Sequence, residues 1–255
     1  MAYHSVYRIA EKNIGIASVY DEVHTLCADY RISEAADGGI DFSVSTTASD
    51  MIYEREKSER EDILEQRPVR HFPEPYLETL AVYRKIAEEM LHYDTFLFHG
   101  SAIAVDGKGY LFTAKSGTGK STHTRFWREV FGERAVMVND DKPLLRINPD
   151  KTVTVFGTPW DGKHHLSRNL AVPLRAVCIL RRDSYNHIEP IPASDALPML
   201  LQQSYRPQDI RLLKRTLELV DGLAMHVSHY RLGCLPDRNA AETAFAGMCG
   251  EKKDM

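Results

Sequence analysis

Residues 109–124 read GYLFTAKSGTGKSTHT. An apolar run leads into glycines, a lysine and hydroxyls. The phosphate-cradling pattern G-x-x-x-x-G-K-[ST] aligns with Ala114-Lys115-Ser116-Gly117-Thr118-Gly119-Lys120-Ser121, and seven of the eight positions agree with it or are free in it. GYLFTA has the pattern of a buried strand and STHTRFW opens a helix, so the stretch predicts strand, phosphate loop and helix in that order. Gly117 and Gly119 let the backbone turn so that successive N–H groups face an anion. The helix N-terminus adds unsatisfied donors and the positive end of a dipole. Lys120 supplies a point charge to the β- and γ-phosphates, and Ser121 can ligate Mg²⁺ through its hydroxyl. The expected nucleotide-binding set is Ser116, Gly117, Thr118, Gly119, Lys120, Ser121 and Thr122. Ala114 stands where the pattern has its first glycine; as the smallest side chain it fits if its φ stays negative, and that is the expectation.

Working outward, TFLFHGSAIAVDGKGYLFTA (95–114) predicts two strands around Asp106-Gly107-Lys108-Gly109, because a DG step between β-like runs is a strong hairpin signal. His99 falls in the strand before that hairpin. A lone histidine in an apolar run reads as a satisfied core residue, but beside a phosphate loop it can donate to phosphate or to a carboxylate. After the loop and its helix, AVMVNDD (135–141) predicts a short buried strand that ends in Asp140 and Asp141 about 20 residues past the loop. Functional groups gather at the carboxyl ends of strands in an α/β sheet, so loop and acids are expected to meet across neighbouring strands. One carboxylate can hold Mg²⁺ and the other can take a proton from an incoming hydroxyl. Two adjacent acids repel, so their titration is expected to be coupled, with one pKa raised unless a metal offsets it. Alone, NDDKP has the composition of a surface turn.

The remaining chain predicts a β-rich beginning, with strands at SVYRIA, IGIASVY and GIDFSVSTT and a turn at Asn13-Ile14-Gly15. YEREKSEREDILEQR (53–67) reads as a solvated helix or a linker. PEPYLETLAVYRKIAEEMLHYD (73–94) reads as an amphipathic helix with prolines at its start. Beyond the acids, strands are expected either side of Asn148-Pro149-Asp150, at RAVCILRR (175–182) and at MHVSHYRLGC. Helices are expected at DIRLLKRTLELVDGLA and PDRNAAETAFAGM. FGTPWDGKHHLSRN (156–169) is a short basic loop. Its Trp160, Lys163, His164 and Arg168 are candidates for substrate recognition or phosphate charge stabilisation, set against a solvated loop with a packed tryptophan. A His164-His165 metal pair lacks a third ligand.

In this order, HGSAIAVDGKGYLFTAKSGTGKST…VNDDKPLL resembles the catalytic domain of the HPr kinase/phosphorylases, whose core is similar to the nucleotide domain of phosphoenolpyruvate carboxykinases. The resemblance covers about residues 95–180. It implies an α/β fold with a mixed-sheet P-loop core of the HPr kinase/PEP carboxykinase type, preceded here by a β-rich α+β subdomain. It also implies roles: Lys120 and Ser121 with nucleotide and metal, Asp140 as acid–base residue, Asp141 as its metal-side neighbour, and His99 against phosphate or the catalytic acid. The expected catalytic set is therefore Asp140, Asp141, His99 and Lys120, with Ser121 and Asp141 on the metal. Those enzymes follow the loop serine with an acid; here Thr122 takes the place. The first 90 residues do not match their N-terminal domain, so HPr is not implied as the substrate.

The expected organisation is an N-terminal β-rich subdomain (1–72), a connecting helix (73–94) and a P-loop kinase-like domain (95–255). The expected function is Mg²⁺-dependent transfer of phosphate from ATP, or another NTP, to a hydroxyl, such as a serine of a protein or peptide. The alternatives are a nucleotide sensor without transfer, and a phosphorylase or phosphatase running the same chemistry in reverse. A net charge of −4 gives no reason to expect nucleic acid as a partner. No window approaches the ~20 apolar residues that span a membrane, and the N-terminus carries charges where a signal peptide needs an apolar core. The four cysteines are scattered with no CxxC pair, so a cytoplasmic protein with reduced thiols is expected. The resemblance also allows an oligomer.

Overall fold

SVYRIA and IGIASVY form the first two strands of the computed structural model, which describes residues 3–33, 39–64 and 66–249. Residue 65 of the charged 53–67 segment lies outside the described residues. The chain divides into two compact units, Met1–Glu89 and Met90–Met255.

In the first unit, β1 (Tyr3–Ile9) and β2 (Lys12–Ser18) pair antiparallel with Ile9 opposite Lys12. The turn is therefore Ala10-Glu11, both left-handed at φ 46° and 63°, which is the two-residue geometry that matches strand twist. Asn13-Ile14-Gly15, read from sequence as the turn, lies inside β2. Gly15 serves close approach instead: a Cβ there would sit 2.7 Å from Ser43 Oγ, on the parallel neighbour β4 (Phe42–Ser45). With β3 (Arg31–Ile32) the sheet order is β3-β1-β2-β4. Helices α1 (Glu22–Leu26), α2 (Ala48–Leu64) and α3 (Glu74–Met90) complete the unit up to Glu89. The charged segment is a packed helix rather than a linker. It buries Met51, Glu54 and Asp62, and Arg84 Nε donates to Glu54 at 2.6 Å while Lys85 Nζ donates to Asp50 at 2.9 Å. Its two terminal apolar residues, Ile63 and Leu64, are exposed. Fully buried Glu78 accepts from the N–H groups of Val19 (2.7 Å) and Tyr20 (2.8 Å) and from the Thr46 hydroxyl.

The second unit is mixed α/β. Its strands are β5 (Thr95–Leu97), β6 (Ser101–Val105), β7 (Lys108–Thr113), β8 (Ala135–Asn139), β9 (Leu144–Ile147), β10 (Val153–Phe156), β11 (Ala171–Arg182), β12 (His187–Ile191) and β13 (Ser228–Cys234). Its helices are α4 (Lys120–Phe131), α5 (Ala193–Gln203), α6 (Ile210–His226) and α7 (Arg238–Cys249). The order β5-β9-β10-β11-β7-β6-β8 is extended by β13 on β11 and β12 on β13. β11 begins against β10, then runs parallel to both β7 and β13, with an irregularity between Leu174 and Ala176. The β6–β7 hairpin turns at Asp106-Gly107, φ 51° and 73°, as the DG step predicts.

Both faces of this sheet are covered, so its central strands are apolar throughout. The period-2 alternation sorts them. Ala102, Ala104, Leu111 and Val177 join the core that includes Leu200, Leu219, Val220 and Leu223 of α5 and α6. Ile103, Val105, Tyr110, Phe112, Ala176 and Cys178 join the core that includes Trp127 of α4 and Ala241 and Ala244 of α7. Among the described residues no helix is long and apolar enough to cross a membrane.

Candidate functional site

The sheet brings loop and acids to one edge. β6 is antiparallel to both β7 and β8, so β7 and β8 run the same way and end on the same side, with one strand between them rather than as direct neighbours. After β7 the chain turns through 114–119 and enters α4 at Lys120. Gly117 (φ 74°) and Gly119 (φ 116°) take the left-handed angles that glycine permits. The Lys115 carbonyl accepts from the N–H (3.2 Å) and hydroxyl (2.7 Å) of Thr118 and closes the turn. Ala114 is fully buried and is not among the positive-φ residues, as its size requires. Arg182, at the end of β11, donates to the Gly117 carbonyl at 2.7 Å and ties the loop to the sheet.

After β8, buried Asn139 shapes the turn that carries the acids. Its Oδ1 accepts from the N–H groups of Asp141 (2.9 Å) and Lys142 (2.7 Å). Its Nδ2 donates to Thr158 O (3.2 Å), Thr158 Oγ1 (3.0 Å) and Trp160 O (3.3 Å). Asn139 thus joins the acid turn to the loop after β10, a role its neighbours in NDDKP do not announce. Asp140 is buried, with Oδ1 accepting from Ser101 (2.6 Å) and Thr124 (3.5 Å). Its Oδ2 faces Gly162, where a Cβ would come within 3.1 Å.

His99 does not lie in a strand. It sits in a break between β5 and β6, because Gly100 must pass so close to the hairpin that a Cβ would be 2.9 Å from Leu111 Cδ1 and 3.0 Å from the Phe112 carbonyl. The break is held by the His99 N–H on Gln203 O (2.7 Å) and the Gly100 N–H on Asp141 O (3.0 Å). His99 Nε2 lies 3.2 Å from Asp141 Oδ1. Burial pushes the Asp141 carboxyl up, but the His99 hydrogen bond, with the charges of Lys142, His99 and Lys120, outweighs it and leaves the carboxyl below its ordinary value. Burial lowers the Lys120 ammonium, and Asp141 and Asp140 partly offset that.

A cleft of about 640 Å³ gathers His99, Gly117, Gly119, Lys120, Ser121, Thr122, Asp140 and Asp141, and Lys163 and His164 reach it from the loop after β10. Other expected residues are placed elsewhere. Thr118 lines a second cleft, of about 480 Å³, on the other side of the loop. Ser116 is exposed and lines neither cleft. Trp160 is packed, 5% exposed, so recognition by its ring is not what the structure offers. Arg168 is not at the cleft either; its N–H pairs with Val138 O (3.3 Å), an approach that Gly157 alone permits, since a Cβ there would meet Arg168 O at 1.9 Å. His165 turns to Asp161 (Nδ1–Oδ1 3.0 Å) while His164 faces the cleft, so the two histidines do not form a pair. Sequence reasoning missed Arg125 and Arg128, which line the cleft one and two turns along α4 from Ser121; their i, i+4, i+7 spacing was the available signal.

Among the described residues no group of three or more His, Cys, Asp or Glu could enclose a metal. The hydroxyl of Ser121 and the carboxylate of Asp141, both at the cleft, are the groups that could contribute to holding a divalent cation.

Fold and cleft together define a mixed α/β protein with a glycine-rich strand–loop–helix turn facing paired acids. The family described as "ScmC: SynChlorMet cassette protein ScmC" matches residues 75–221, more than half of the sequence, and the chain belongs to that family. No curated protein matches it. A solved structure described as the Hpr(Ser) kinase/phosphatase from Coxiella burnetii is 15% identical and covers 51% of this chain and 97% of its own, with a TM-score of 0.25. That likeness is too slight to define the chemistry of this chain.

Proposed function

We propose that the second unit is a nucleotide-dependent phosphotransferase with a P-loop core of the HPr kinase type, acting on a hydroxyl acceptor. The observation that carries this reading is the single cleft shared by Lys120, Ser121, Asp140, Asp141 and His99. The loop N–H groups and the start of α4 would hold the triphosphate, with Lys120 available to its outer phosphates. The second cleft, walled by Phe126, Leu180, Leu235 and Pro236 with Asp183 at its side, suits the nucleoside.

Two hydroxyl donors on Asp140 Oδ1 fix that carboxylate and leave Oδ2 to accept the proton of the acceptor hydroxyl. The acceptor oxygen then bonds to the γ-phosphorus as the bond to the leaving nucleoside diphosphate breaks, and the proton resides on Asp140. His99 holds Asp141. Ser121 and Asp141 would hold Mg²⁺, which when bound neutralises phosphate charge. Thr122, in place of the acid of the resembling enzymes, leaves Asp141 as the carboxylate for that role.

The test is incubation of the intact chain with Mg-ATP and hydroxyl acceptors, beside Asp140→Asn and Lys120→Ala. Transfer that falls at least ~100-fold in Asp140→Asn with nucleotide binding retained is expected. Binding without transfer to any acceptor means a sensor; loss of phosphate from an added phosphoserine, to water as inorganic phosphate or to phosphate as pyrophosphate, means the phosphatase or phosphorylase alternative; and unchanged nucleotide affinity in Lys120→Ala refutes the loop assignment.

A further inference from the structure

The phosphate loop and the paired acids occupy one end of the larger cleft. The other end is basic. Ser121, Thr124, Arg125 and Arg128 fall on one face of α4 and line the cleft, while His123 and Trp127 on the opposite face are buried. Arg128 is seven residues beyond Ser121, so a rise of 1.5 Å per residue places it ~10 Å farther along the helix axis. Lys163 enters from the loop after β10, whose Gly162 lies against Asp140, so it belongs to the acid end. Lys120 and the acids are used by the phosphotransferase reading; Arg125 and Arg128 are not.

Arg125 is partly satisfied by Glu129 (2.9 Å). Arg128 is different. Its Nε is buried and has no hydrogen-bond partner among the described residues. A buried guanidinium N–H without an acceptor is costly, and the planar fork of arginine matches a carboxylate or phosphate with two parallel bonds. Arg128 also lines the cleft, where an oxyanion would give its guanidinium a charged acceptor.

We propose that Arg128, with Arg125 one turn before it on the same face of α4, forms a second anion site for a carboxylate or phosphate carried by the acceptor. The acceptor class is thereby narrowed to hydroxyl compounds that also bear an oxyanion. This rests on the phosphotransferase reading, and the experiment separates the two.

The intact chain is saturated with Mg²⁺ and a non-hydrolysable ATP analogue, then titrated with inorganic phosphate or with succinate by calorimetry. The same is done with Arg128→Gln and Arg125→Gln. One further anion per chain is expected, bound without displacing the analogue. It binds at least ~10-fold more weakly in Arg128→Gln and ~3-fold more weakly in Arg125→Gln, with analogue affinity within about twofold. The tighter of the two probes identifies the anion. The proposal is overturned if the anion competes with the analogue, does not bind, or binds both variants as it binds the wild type. If the analogue itself fails to bind, the phosphotransferase reading falls first and this site falls with it.

Discussion

Asn139→Ala tests the idea that one buried amide organises the acid turn. The substitution removes the acceptor of two backbone N–H groups, Asp141 and Lys142, and the donor to Thr158 and the Trp160 carbonyl. Five partner groups lose contact, and because the amide has two hydrogens for three of the oxygens, four bonds' worth is lost. At about 0.5–1.5 kcal/mol each, reduced where water reaches the half-buried Asp141 and Lys142, the loss is about 2–4 kcal/mol. Both tryptophans of the chain, Trp127 and Trp160, lie in the second unit, so fluorescence in a urea titration reports that unit directly. With a slope of ~2–3 kcal/mol/M, the midpoint should fall by about 1 M. Asn139→Asp keeps the acceptor oxygen but sets a second oxygen against the Thr158 and Trp160 carbonyls beside two other acids, so at neutral pH it should fall at least as far. A midpoint shift below ~0.2 M in Asn139→Ala would show that the turn holds without its amide and refute the reasoning. Transfer activity should drop more than nucleotide affinity, because Asp140 and Asp141 are displaced and the loop is not.

Other expectations follow from single contacts. Gly157→Ala places a Cβ on two backbone carbonyls, Arg168 O at 1.9 Å and Val138 O at 2.6 Å, and should cost at least ~3 kcal/mol by the same titration; a neutral result would mean that the two segments part easily. His123 is buried and accepts from Trp127 Nε1 at 3.0 Å, and burial lowers its pKa from 6.5 to about 3. The unfolded imidazole therefore binds a proton from pH 6.5 downward while the folded one does not until about pH 3. Stability must rise with pH across that window, by up to ~1.4 kcal/mol per unit from this group, and His123→Gln should flatten the slope. In the first unit, Glu78→Ala frees the N–H groups of Val19 and Tyr20; hydrogen exchange over that segment should speed up by at least ~10-fold.

Much of the second unit can be read from residue types. Asp106-Gly107 has the composition its left-handed turn demands, and GYLFT and RAVCIL lie in strands buried along most of their length, with AVMV as the strand at the end of the order. What escaped reading depended on partners distant in sequence. The Ala10-Glu11 turn uses left-handed angles with residues that do not advertise them, while Gly15 looks like a turn and is a close approach to Ser43. The break at His99 comes from Gly100 meeting Leu111 and Phe112, which no local pattern encodes. The acid pair was legible as a strand ending, but Asn139 was not, since its value lies in carbonyls about 20 residues later. Arg125 and Arg128 share a helix with the buried Trp127, and a helical projection of α4 separates them from it.

The long strand β11 works as a seam. Its first residues are zipped to β10, its remainder to β7 and β13, and its last residue, Arg182, is fastened to the Gly117 carbonyl. Opening either side of the sheet means peeling this one strand. The two flanks therefore lose protection together, as one cooperative block of exchange. The glycine loop, exposed as it is, is stitched to the end of that seam, so its slowest motions are set by the sheet as well as by its own glycines.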